Sequence, residues 1–377
     1  MKKRGLLFAG LMLAGATQVQ AMPYGYYDAR SVAMGNVSVA TGGITTAALS
    51  NPGMLTVNEN DDTFALLFPA IGVQAVDDGD VIDSIDEFQD IEDQAFQSSA
   101  DLQRQYDLIA GLENSSLTLG VTPNAAIIYS GDSFTWGVSM RANASASVSV
   151  VDFNNSLVNP DATVQAIGVM TTEIGLPIGT DFSLAGMQLS VGIMPKMVNV
   201  DGIAYRRSIE NIDVEDAFDE EIDLGSFTTL DAGVVLNVLD SVRVGLVAKN
   251  LLEETKTMPV GPNNPTAPID INFDRHLRAG VAFDGGFFTL AADMDLTEIE
   301  PIGFESPSKM FSVGAELNTF EVFQLRAGYQ TNTASGSNDP DLLSLGVGLW
   351  LGFHLDAAVV VGDDSSFGGF VQTGFRF

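Results

Sequence analysis

The stretch Ser133-Phe134-Thr135-Trp136-Gly137-Val138-Ser139-Met140-Arg141-Ala142-Asn143-Ala144-Ser145-Ala146-Ser147-Val148-Ser149-Val150 alternates without a break. Every even position is apolar, and every odd position is polar or glycine. An extended backbone sends neighbouring side chains to opposite faces, so the segment has one greasy face and one wet face. At about 3.3 Å per residue it would run roughly 60 Å, far beyond the strands of ordinary soluble sheets. A strand of that length suits one that crosses a bilayer obliquely and continues above it.

Similar alternation recurs to the C-terminus. It predicts strands at 63–76, 116–130, 133–150, 163–178, 182–194, 226–239, 240–251, 274–284, 286–296, 308–318, 320–331, 341–351, 352–362 and 367–377. The resulting number, fourteen, is even, as in single-chain bacterial barrels. Connections are tight at Gly131-Asp132, Leu239-Asp240, Asp284-Gly285-Gly286 and Leu351-Gly352, and long at 77–115, 151–162, 195–225, 252–273 and 297–307. Short turns on one side and long loops on the other are the asymmetry of an outer-membrane barrel. The fold class expected is all-β: a 14-stranded antiparallel transmembrane β-barrel over 63–377. A large periplasmic β-sandwich would alternate too, but it explains neither the loop asymmetry nor the last strand. Phe367–Phe377 alternates and ends on an aromatic, which resembles the assembly signal of outer-membrane barrels. The implied partners are outer-membrane lipid and, through the strand ending at Phe377, the outer-membrane assembly machinery.

Composition agrees. Of 377 residues, 17 are Lys or Arg against 49 Asp or Glu, a net charge of −32, yet 46% are hydrophobic. Mean hydropathy is +0.19. The acidic balance excludes a nucleic-acid partner, since phosphate binding needs a basic footprint. With no cysteine, zinc ribbons, disulfide scaffolds and thiol chemistry are excluded. Lys2, Lys3 and Arg4 precede the apolar run Gly5–Ala16, and Val19-Gln20-Ala21 offers small residues for cleavage. A cleaved secretory signal peptide at 1–21 is expected. No later run is long and apolar enough for a helical span. Export without such a span leaves the Gram-negative outer membrane as the expected location.

Strand parity sends polar groups inward. The lumen should hold Arg141, Asp231, Arg243, Lys249, His276, Arg278, Asp293, Asp295, Glu316, Gln324, Arg326, His354, Asp356 and Arg376. Turning an Arg or Lys toward lipid at the midplane would cost about 2–4 kcal/mol. Adjacent strands offer opposite charges, Glu316 beside Arg326 and Asp356 beside Arg376. These charges read either as ion pairs bracing the barrel or as a track through it. No catalytic constellation is expected: the sequence has no GxSxG elbow, HExxH, P-loop or GxGxxG, and only two histidines, His276 and His354. Neither a metal site nor a cofactor is expected.

Residues 22–62 do not alternate and are rich in Gly, Ala, Ser and Asn. They are too few for a domain, and their small residues permit close backbone packing. An N-terminal plug folded into the lumen fits both properties, with a free periplasmic leader as the alternative. Ala29-Arg30-Ser31-Val32-Ala33-Met34-Gly35, followed by Asn51-Pro52, resembles the N-terminal hatch of the FadL/TodX family of hydrophobic-compound transporters. Gly53 stands where that family usually has alanine. Phe64-Ala65-Leu66-Leu67-Phe68-Pro69-Ala70-Ile71-Gly72 and the acidic run Asp77–Asp93 are similar to a FadL-like barrel group labelled conjugal transfer protein TraF. The resemblance implies a plugged barrel that takes up hydrophobic small molecules, of long-chain fatty acid or hydrocarbon type. In that picture a ligand lands on exposed loops and leaves sideways through the wall.

Ile82, Ile85, Phe88 and Ile91 recur at helical spacing, with Phe96 and Tyr106 beyond. They are expected to form a greasy landing site on an external loop; the alternative is that the stripe packs this loop onto the rim. A structural or assembly role in conjugal transfer, without a ligand path, is the competing function. A general polar porin is a third.

Overall fold

The computed structural model describes residues 28–57, 62–78, 81–92, 94, 98–112, 115–154, 161–209, 221–261, 268–299, 307–319, 322–337, 339–362 and 366–377. The expected signal peptide and Phe96 lie outside them. Strands β1 (Phe64–Asp78), β2 (Ser116–Ser130), β3 (Thr135–Asn154), β4 (Asp161–Gly175), β5 (Ile178–Leu184), β6 (Met187–Ser208), β7 (Glu221–Leu239) and β8 (Val242–Lys249) come first. A hairpin, β9 (Glu254–Met258) and β10 (Ile269–Phe273), follows. The chain continues through β11 (His276–Asp284), β12 (Phe288–Asp295), β13 (Met310–Thr319), β14 (Phe323–Asn332), β15 (Leu342–Trp350), β16 (His354–Gly362) and β17 (Phe367–Arg376). Short helices α1 (Ala29–Ala33), α2 (Val81–Glu92) and α3 (Ser99–Gly111) complete it. Among the described residues no helix is long and apolar enough to cross a membrane.

Every neighbouring pair in the large sheet is antiparallel. It runs β2-β1-β17-β16-β15-β14-β13-β12-β11-β8-β7-β6-β4-β3 and closes through β2–β3. Strands β4 and β5 are two halves of one stave, since the register against β6 is the same on both sides of the break (Gly175↔Lys196, Ile178↔Ile193). Counted so, fourteen staves close the barrel. Closure leaves no unpaired edge, the condition for a sheet to exist in hydrocarbon. Phe377 finishes the seam, its carbonyl accepting from the amides of Thr63 and Phe64 at 2.6 and 3.0 Å.

The structure corrects the strand limits at several places, most of all around β5 and β6. Strands were expected at 163–178 and 182–194 with a long loop over 195–225; instead the tight turn is Ala185-Gly186, and β6 runs on to Ser208. Pro177 and Pro195 cannot donate to a ladder. Both sit within the wall and keep their carbonyls as acceptors, Pro195 from Leu176 N and Pro177 from Gly137 N, each at 3.0 Å. The expected loop 252–273 likewise contains β9 and β10.

The two faces separate by parity as the alternation requires. At the start of β3, Trp136, Val138 and Met140 point outward and are exposed, Trp136 at 52%, as is Phe134 just before it. Farther from the tight turns the same outer face is covered, and Ala144 is only 1% exposed. The cover there includes the helical connection. Phe88, Ile91, Leu108 and Ile109 pack against Ala162, Val164 and Ile209, with Ile85, Val148 and Val150 at the margin. Ser98 and Asp101 form a capping box at the start of α3. Arg104 joins α3 to Glu87 of α2 at 2.6 Å, and that hydrogen bond holds the Glu87 carboxyl below its ordinary pKa.

Candidate functional site

Residues 28–57 are almost wholly buried; only Arg30, Gly43, Thr45, Thr56 and Val57 are partly accessible. They lie against the inward face of the barrel. Asp28 caps α1, accepting from Ser31 N at 2.9 Å. Asn51 caps a short 3-10 turn at Pro52–Met54, accepting from Gly53 N at 2.9 Å while its amide donates to the Val39 carbonyl at 2.8 Å. Ile44, Ala47, Ala48, Leu49, Met54 and Leu55 form an apolar cluster with Ala65, Leu67, Ala126, Ile128, Val235 and Val247 of the wall.

The wall meets this segment with glycines at lumen parity. Gly192 and Gly233 stand directly opposite each other, and so do Gly245 and Gly280, and Gly314 and Gly328. The three pairs seat Pro52-Gly53, Val39 and Met34-Gly35 respectively. A Cβ on any of them would overlap the segment, as on Gly245, where it would come 2.7 Å from the Val39 carbonyl oxygen. A glycine inside a strand marks such a close approach of a second backbone. Gly35 itself has φ +71°, and its own Cβ would meet the Tyr329 carbonyl at 2.6 Å. Gly346 faces Ala33 in the same way.

Buried charges fix the segment sideways. Arg30 grips Glu316 with two hydrogen bonds of 2.8 and 2.9 Å and donates to the Thr41 carbonyl. Glu316 also accepts from Arg326, which binds Asp356, both at 2.6 Å. Asp356 accepts from Gln372 at 3.0 Å, and Gln372 in turn accepts from Ala29 N at 2.8 Å. On strand β12, which neighbours β13, Asp293 accepts from the amides of Ser38 and Val39 at 2.7 and 3.0 Å. Arg278, completely buried, donates to the Asn36 carbonyl at 3.1 Å and lies between Asp293 and Asp295. His276 sits 3.1 Å from Asp295.

A second group lies farther from the tight turns. Arg141 pairs with Glu173, and Lys196 bridges Glu173 and Asp231 at 3.2 and 3.1 Å. Lys249 donates to the Leu49 carbonyl at 2.7 Å. Burying such groups is tolerable only when they are matched. Beyond this layer Ile167, Val169, Val198, Val200 and Ala204 on the inner face of β4 and β6 pack with Met258, Ile271 and Phe273, so the β9–β10 hairpin folds inward over them.

Strand parity thus brings Arg30, Glu316, Arg326 and Asp356 into one network, Arg278 into a second, and Arg141 with Asp231 into a third. Arg243 stands apart, 3.0 Å from Asp284 beside a tight turn. The expected Asp356–Arg376 pair is not formed. Register sets Asp356 opposite Gln372, and Arg376 instead lies 3.7 Å from Asp62, 2.7 Å from the His354 ring nitrogen and over Trp350. Ala33, Met34, Gly35, Asn51 and Pro52 all lie at contacts with the wall.

The landing stripe is corrected as well. Phe88 and Ile91 are buried, Ile85 lies beside them and Tyr106 is half-buried, because the stripe covers the outer wall instead of facing solvent. Replacing Phe88 by alanine is expected to weaken this cover by about 3–5 kcal/mol. Limited proteolysis of whole cells should then cut within α2 or α3 faster than in the parent, while the barrel keeps its folded mobility on unheated gels.

Sequence reasoning missed Glu173, Lys196 and the glycine pairs. Lys196 was lost with the misplaced end of β6. The glycines carried a usable signal, since Gly245 and Gly280 share parity with the lumen residues Arg243 and Arg278.

Solved structures show the same fold. The toluene transporter TbuX of Ralstonia pickettii superposes with a TM-score of 0.55 at 12% identity, covering 94% of this chain and 99% of that one. The CymD monoaromatic hydrocarbon channel gives 0.56 at 12% identity over 95% and 99%. A FadL homologue of Pseudomonas aeruginosa gives 0.53 at 11% identity over 95% and 99%. No curated protein matches the chain. Residues 48–295 match the family model described as F plasmid transfer operon, TraF, protein. That match spans most of the barrel and part of the segment inside it, and the chain belongs to this FadL-like barrel family.

Proposed function

We propose that this protein is an outer-membrane barrel for the uptake of hydrophobic small molecules, with residues 22–62 as its plug. The observation that carries the reading is the state of the lumen. The segment touches almost every stave through backbone-to-glycine contacts and buried ion pairs, which disfavours an open aqueous pore. Beyond it the interior is lined by apolar side chains packed under an inward hairpin. The exposed apolar outer face supports a bilayer location. The hydrocarbon channels that share the fold support the substrate class.

Deleting the gene is expected to slow cellular accumulation of hydrophobic probes severalfold, measured with labelled long-chain and monoaromatic compounds. Accumulation at the parental rate across the panel would defeat the proposal. The plasmid-transfer description of the family favours a second reading, a role in conjugation. It predicts a drop in plasmid transfer with uptake intact, so the same deletion strain separates the two.

A further inference from the structure

The inner face of the barrel carries a polar patch that no ion network uses. Register places Gly72, Thr122, Asn143, Thr171 and Val200 in one lateral row across β1, β2, β3, β4 and β6. Thr122 falls opposite Asn143 between the pairs Val121↔Ala144 and Asn124↔Arg141. Thr122 and Asn143 share parity with Arg141 and point into the lumen. Both are more than nine-tenths buried. The Thr122 hydroxyl and the Asn143 carbonyl oxygen have no hydrogen-bond partner among the described residues. Buried polar groups in native proteins are almost always satisfied, so two such groups side by side mark a place where a ligand can supply the bonds.

The surroundings define what that ligand is. Following the row sideways from Asn143 leads through Thr171 to Val200, and so onto the apolar wall of Ile167, Val169, Val198 and Ala204 under the β9–β10 hairpin. That wall is packed under Met258, Ile271 and Phe273, so a molecule lying along the row would set a polar end at Thr122 and Asn143 and an apolar body at the margin of this cluster. The nearby cations are matched already: Arg141 by Glu173, Lys196 by Glu173 and Asp231, and Lys249 by the Leu49 carbonyl. An anionic head would have to compete with those carboxylates. A hydrocarbon would leave the hydroxyl and the amide facing methylene groups.

We infer that the lumen beyond the plug binds a neutral hydrophobic molecule with a hydrogen-bonding head, such as a long-chain alcohol, through Thr122 and Asn143. This rests on the uptake reading and narrows its substrate class. The test uses the full-length protein in lipid nanodiscs, with protein-free nanodiscs to subtract partitioning, and titrates tritiated dodecanol, dodecane and dodecanoate. Dodecanol is expected to bind about tenfold more tightly than either of the others, the gain from one or two hydrogen bonds. Thr122→Val with Asn143→Leu should remove that advantage and leave dodecane binding unchanged. Dodecane or dodecanoate binding as tightly as the alcohol, or a double variant with parental dodecanol affinity, would overturn the inference while the uptake reading stands. Binding of none of the three to the parent protein would defeat both. Folded mobility on unheated gels shows that the variants are intact. If the double variant fails to fold, the near-isosteric Thr122→Val alone should cost the alcohol about threefold, and no loss there counts against the inference.

Discussion

Replacing Arg326 by methionine is expected to destabilise the folded barrel by about 3–5 kcal/mol, the usual cost of leaving a buried charge without its partner. The guanidinium lies within 2.6 Å of both Glu316 and Asp356, and its side chain is 2% exposed. Arg30 would still hold Glu316 after the change. Asp356 would keep only the amide of Gln372. The stranded carboxylate therefore accounts for most of the loss. A lower denaturant midpoint, followed by the shift between folded and unfolded gel mobility, is the readout. Adding Asp356→Asn should recover most of it, because a neutral amide needs no counter-charge. A midpoint equal to the parent's would show that the network contributes nothing to stability.

The second large effect is expected at Gly328, replaced by valine. Its Cβ would overlap the amide nitrogen of Gly35 and the carbonyl carbon of Met34, which are backbone atoms that cannot rotate away. Gly314 stands opposite Gly328 and sits as tightly against Met34, so the wall has no slack on that side. Ordinary overpacking costs about 1–3 kcal/mol and is relieved by side-chain shifts. Here relief requires the segment to leave its seat. The expected result is a barrel that still folds but carries a displaced N-terminal segment. Planar-bilayer recordings should then show large, stable conductance steps that the parent lacks, and cells should become sensitive to bulky antibiotics. Parental conductance would mean that the segment is not what closes the lumen.

How much of this could be read beforehand follows from the period-two pattern. Alternation along 133–150 assigns each residue of β3 to its face, and the same parity puts Arg278, Glu316 and Arg326 indoors. Partners are another matter. Parity says which face a residue takes, whereas pairing depends on register, and a shift of a few residues moved Asp356 from Arg376 to Arg326. Pro177 and Pro195 are tolerated in the wall because a proline's missing donor matters only on one side of a strand. Helical spacing in 82–91 gave the helix but not the surface it covers. An apolar stripe is equally consistent with a landing site and with a packing face, and burial decided for packing.

The hydrogen bonds of the N-terminal segment span nearly the whole chain: Arg30 meets a residue 286 positions later, and Ala29 one 343 positions later. The segment is synthesised long before its last acceptor, which arrives with the final strand. Closing loops of that length is slow compared with forming neighbouring hairpins. The segment can therefore complete its contacts only when β17 meets β1, so its docking and ring closure become a single late event. An incomplete chain would present open strand edges and an undocked segment together, and completing the last strand removes both at once.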